Sequence, residues 1–141
     1  MSIKHKGLLL CVLTLTVILV PGCSNNKKVS LPDSPMVFEW VETENTILLT
    51  QGDKQYEPYA NLDSKLLGDC IGYYTIDSDN NDGAVSDEPV YICKLDGYEI
   101  DEWVVDVINP NRCSEGTIWK ERNVVVIPNE LSELELIENH Q

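Results

Sequence analysis

Val90-Tyr91-Ile92-Cys93-Lys94-Leu95, Asp96-Gly97 and Glu102-Trp103-Val104-Val105-Asp106-Val107-Ile108 together form the stretch that decides the fold. The first piece is rich in aromatic and β-branched residues and reads as a strand. Asp96-Gly97 is the strongest two-residue turn signal in the chain. The last piece is ambiguous. Ile100, Trp103, Val104, Val107 and Ile108 fit one face of a helix, whereas the stiff branched side chains of Val104, Val105, Val107 and Ile108 favour a strand. We read a strand from Glu102, ended by Asn109-Pro110-Asn111.

Outward from this stretch the pattern repeats. Residues 117–122 can return as a hairpin partner, and 124–127 make a further extended piece. On the N-terminal side, 37–41 and 46–50 read as strands, and Gln51-Gly52-Asp53-Lys54 separates the second from 55–59 as a hairpin turn would. Pro58 pushes that third piece toward a sheet edge. Residues 69–76 complete the set. After Pro128, Asn129 is a candidate N-cap for a short helix carrying Leu131, Leu134 and Ile137, although its acidic far end opposes the helix dipole. The expected fold is mainly β (β-rich α+β), a small antiparallel rolled sheet or barrel with a short C-terminal helix and no internal repeat.

The N-terminus follows a different grammar. Lys4, His5 and Lys6 precede an apolar run of 13 residues at 8–20, interrupted by Thr14 and Thr16. A spanning helix needs about 20 apolar residues, so the run predicts a cleaved export signal over residues 1–22. No alanine occurs before Ala60, which argues against the ordinary small-residue cleavage pattern. Val20-Pro21-Gly22-Cys23 resembles a bacterial lipobox, with Pro21 and Val20 departing from the commoner residues. That resemblance implies a diacylglyceryl group on Cys23, and two or more long chains there would make attachment effectively permanent. Residues 23–35, polar and containing Pro32 and Pro35, then act as a flexible linker. A single globular domain follows over 36–138, with a tail at 139–141.

Charge and composition exclude several functions. The chain has 24 acidic and 10 basic residues, a net charge of −14 that becomes more negative when Lys4 and Lys6 leave with the leader. Such a field repels phosphate backbones, so nucleic acid is not an expected partner. The two histidines are His5, in the leader, and His140, beside the end, so triad chemistry and His-containing zinc sites lack an imidazole held in place.

Two constellations have spacing worth testing. Counted from Asp77, the oxygen ligands Asp77, Asp79, Asn81 and Glu88 fall at positions 1, 3, 5 and 12 of a calcium loop. Gly83 is one place late, and the flanks read as strands. A solvated hairpin loop therefore competes with weak calcium binding, and no cofactor is required. Besides Cys23, Cys70, Cys93 and Cys113 follow the leader. Cys70 and Cys93 lie on strands expected to pair, and face each other if Thr75 sits opposite Glu88. A bridge and three buried thiols remain alternatives. Three Trp and six Tyr could form a binding stripe, but cross-strand core pairs explain the same alternation.

Cys70-Ile71-Gly72-Tyr73, Val90-Tyr91, Leu95-Asp96-Gly97-Tyr98 and Asp101-Glu102-Trp103 form a loose pattern over residues 47–127. It resembles small uncharacterised lipoproteins of clostridial Gram-positive bacteria. The resemblance implies a cell-membrane, lipid-anchored location on the extracytoplasmic face, and brings no catalytic residues. The expected function is a non-catalytic, acidic binding or interaction domain held to the membrane through Cys23 and suited to a cationic protein or peptide. An accessory subunit of a cell-envelope complex is the alternative. A small hydrolase using a carboxylate pair is the third reading.

Overall fold

Side chains alternate across a strand, so eight short strands give this chain two apolar faces, and the sheet rolls until one of them lies inside. The computed structural model describes residues 30–76, 88–109 and 115–137. Cys23, Asp77, Asp79, Asn81 and Cys113 lie outside them. The strands are β1 (Met36–Val37), β2 (Glu39–Glu42), β3 (Ile47–Gln51), β4 (Lys54–Asn61), β5 (Leu67–Tyr74), β6 (Val90–Leu95), β7 (Trp103–Val107) and β8 (Thr117–Glu121). A single 3₁₀ turn at Ser64–Leu66 precedes β5, and α1 (Asn129–Ser132) follows β8. The spatial order is β1-β5-β6-β7-β8-β4-β3-β2, antiparallel throughout except for the parallel β1–β5 pair.

Closure comes from the first stretch of the domain. The sequence reads 37–41 as one strand, but the chain divides at Phe38: β1 pairs with β5, while β2 pairs with β3 at the other edge. One residue thus joins the two ends of the sheet. The Phe38 N–H donates to the Tyr73 carbonyl at 2.9 Å, and its ring is buried inside the roll. Met36, Phe38 and Trp40 keep the period of two across this break, so alternation alone could not reveal it. The close approach needs Gly72, because a Cβ there would collide with the Met36 carbonyl oxygen.

The strand reading of the ambiguous segment holds, starting at Trp103. β7 lies between β6 and β8 and all five of its residues are buried, which explains its run of β-branched side chains. Gly97, at φ +85°, makes the turn after β6, where the Tyr98 N–H donates to Leu95 O at 3.1 Å. Pro58 is not at a sheet edge, since β4 lies between β3 and β8. Its missing N–H is tolerated because β3–β4 pairing ends at Leu49↔Tyr56 and a bulge interrupts the β8 side between Pro58 and Ala60.

Cys70 and Cys93 are joined by a disulfide across β5 and β6. The pairing does not use the register with Thr75 opposite Glu88. Tyr74 faces Val90 and Gly72 faces Ile92, one residue off, and a shift between Cys70 and Gly72 restores the alignment.

Asn129 is not the N-cap. Pro128 holds that position without a side-chain bond, and its carbonyl accepts from the Leu131 and Ser132 N–H groups. The helix is a single turn, leaving Leu134 and Ile137 beyond it. Helical bonds yield there to sheet-like ones: Asn61 N–H donates to Glu135 O at 3.2 Å and Ile137 N–H to Tyr59 O at 3.0 Å. Residues 124–127 join no strand of the sheet.

Two cores result. The outer face packs Cys93, Leu95, Trp103, Val105, Val107 and Ile118 beneath Leu62 and Leu131. The inner face packs Phe38, Leu49, Tyr56, Tyr74, Ile92, Val104 and Trp119.

Candidate functional site

The inner face is not filled along its whole length. From Tyr56 onward β3 and β4 cease to pair, and the backbone opens where Ile47 and Pro58 stand. A cleft of about 430 Å³ enters there. Its lining is largely apolar, including Trp40, Ile47, Tyr74, Val90, Trp119 and Ile137. Trp40 stacks on Tyr74 with centroids 5.3 Å apart and meets Trp119 edge-on at 6.0 Å. Clefts of this size, apolar with a few polar groups, are typical of small-molecule sites in the mouths of β-barrels.

The charged group is Asp106. It is the one charged residue among the described residues of the lining, and it is 3 % exposed. Alternation along β7 places it, turning Trp103, Val105 and Val107 to the outer core and Val104 and Asp106 inward. One carboxylate oxygen accepts the Thr117 N–H at 2.6 Å and the other accepts the Tyr74 hydroxyl at 3.1 Å. Burial pushes the Asp106 carboxyl above its ordinary value, while the Thr117 backbone bond, the nearby Trp119 indole and the Tyr74 bond pull the other way. The Trp119 Nε1–H favours the charge by proximity but makes no hydrogen bond of proper geometry. Burial, then the Asp106 charge, drives the Tyr74 hydroxyl upward, so it remains a proton donor.

The second buried acid, Glu121, lies four residues along β8 from Thr117, roughly 13 Å away by strand rise. It accepts the backbone and side-chain N–H groups of Asn123 at 2.8 and 3.0 Å. It does not line the cleft, so among the described residues no second carboxylate faces Asp106 across it.

Of the sequence-derived sites, Cys70 and Cys93 meet, on the opposite side of β5 and β6 from the cleft. Glu88 is exposed, and its three proposed calcium partners lie outside the described residues. No group of three His, Cys, Asp or Glu able to hold a metal occurs among the described residues. The aromatic residues divide: Trp103 is core, as cross-strand packing predicts, whereas Trp40 and Trp119 line the cleft. Sequence reasoning passed over Asp106, yet a signal was there. It is a lone acid inside an apolar run, and such a charge in a fully buried strand needs a partner or a role.

Compared with family models, curated proteins and solved structures, the chain matches none.

Proposed function

We propose that this chain is a lipid-anchored, extracytoplasmic binding module, non-catalytic, whose cleft takes a small, largely apolar ligand. The observation that carries the reading is the 430 Å³ opening between β3 and β4, walled by Trp40, Tyr74 and Trp119 and floored by Asp106. Trp40 is only half-buried there, and apolar aromatic surface left open at the mouth of a rolled sheet commonly marks a binding site. The export leader and lipobox support the location, as does the Cys70–Cys93 bridge, because disulfides persist mainly in oxidising compartments.

The test has two parts. Replacement of Cys23 by serine should release the protein from membranes, and firm retention would remove the anchor. For the cleft, 2-phenylethanol titrated into the full chain in detergent should change tryptophan fluorescence saturably. Ile47→Trp, which fills the opening, should abolish that change. A linear response, or one indifferent to Ile47→Trp, would overturn the cleft as a ligand site.

A second reading, the accessory subunit of an envelope complex, draws on Val125 and Val126, which are 88 % and 81 % exposed on the segment between β8 and α1. Recovery of a stoichiometric membrane partner that is lost with Val125→Asp would favour it.

A further inference from the structure

We infer that the cleft selects organic cations: small molecules with an apolar body and an ammonium group that pairs with Asp106. This rests on the cleft being the ligand site, and deepens that reading by naming the class of ligand.

The charge pattern points to a cation. Among the described residues no Lys, Arg or His lines the cleft, so the Asp106 carboxylate has hydrogen-bond donors there but no counter-charge. A buried carboxylate without a cation is an expensive arrangement, and a ligand that brings the positive charge offsets its cost. An anionic ligand such as a fatty acid would meet repulsion instead.

The walls agree. Aromatic rings attract cations, and the half-buried Trp40 presents one at this opening, backed by the buried Tyr74 and Trp119. Ile47, Val90, Ile108 and Ile137 add apolar surface for the remainder of the ligand. Over longer range, a net charge of −14 concentrates small cations near the protein and leaves anions depleted. Stacked aromatics would equally suit an uncharged ligand, but the carboxylate would then stay without a counter-charge. That difference is measurable.

Two probes of nearly equal shape isolate the charge. 2-Phenylethylammonium and 2-phenylethanol are titrated against the full chain in detergent, read by tryptophan fluorescence and calorimetry. The ammonium should bind about tenfold tighter, and Asp106→Asn should bring the two probes to equal affinity. Asn45→Lys, at an exposed position on the rim of the cleft, should turn the preference toward the alcohol. This variant keeps the proposal testable if Asp106→Asn fails to fold. Equal affinity of the two probes for the parent chain would overturn the cation inference and leave the cleft as a ligand site. Saturable binding of neither probe would overturn the cleft reading itself. An ammonium preference that survives Asp106→Asn unchanged would assign it to the overall charge and overturn the role of Asp106.

Discussion

The outer and inner faces of this sheet are both buried, yet they differ in what buries them. On the outer face Trp103, Leu95, Val105 and Ile118 are sealed by Leu62, Leu131 and the segment around α1, and a disulfide crosses the same side. The inner face has no other layer to cover it. Its walls must meet each other across the roll, and the large rings of Phe38, Trp40, Tyr56, Tyr74 and Trp119 do this. Two buried acids sit on strands that contribute to it, and a cleft remains where β3 and β4 part. A covered face can be purely apolar because its cover adjusts to fit. A face rolled on itself has fixed circumference, so space is left over, and a site can occupy it.

Substitutions that separate stability from binding test this division. The largest expected effect is Trp103→Ala, which removes a fully buried ring and should cost about 3–5 kcal/mol in denaturant unfolding. Trp40→Ala, at a half-buried position on the cleft, should cost much less stability and abolish the saturable fluorescence response. Similar stability losses with binding intact in both would erase the distinction between the faces.

Next is the bridge. Replacing Cys70 and Cys93 together with serine should lower stability by about 3 kcal/mol, as expected for a crosslink spanning 23 residues. Under conditions where the variant remains folded, probe affinity should be unchanged, because the disulfide lies on the outer side. A large loss of affinity in the folded variant would show that the two faces are coupled.

The smallest effect concerns pH. Burial raises the Asp106 carboxyl above its ordinary value of 3.8, so in the window between 3.8 and the raised value the folded state holds a proton there that the unfolded chain has lost. Stability from this group is complete below 3.8 and declines as pH climbs toward the raised value in the fold. Asp106→Asn removes the decline, so the melting temperature of the variant relative to the parent should shift in its favour across that window. A shift of opposite sign would mean that the Thr117 and Tyr74 hydrogen bonds outweigh burial, making the carboxylate a stabilising part of the inner face.

Much of the architecture was legible in local pattern. Residues 90–95 match β6 in full, and the branched side chains of 104–108 decided correctly between strand and helix. Pro58 misled because its constraint is local: a proline needs one unpaired backbone position, and a bulge beside a parting pair of strands supplies it inside a sheet. The site was harder to read. Asp106 was passed over, its single mark being an acid within an apolar run, and the cleft has no sequence signature because its lining comes from residues 40 to 137.

Taken alone, the sequence determined the strongly negative net charge, the β-rich class and the alternation that makes two faces. These depend on residue type and short-range spacing, which are fully present in the chain. The tertiary structure decided where the sheet closes, that Phe38 hands the chain from one edge to the other, and that Tyr74, Asp106 and Trp119 share one cavity. Each of those depends on strand register and on how far the sheet must bend to meet itself, quantities set by the packing of all eight strands together.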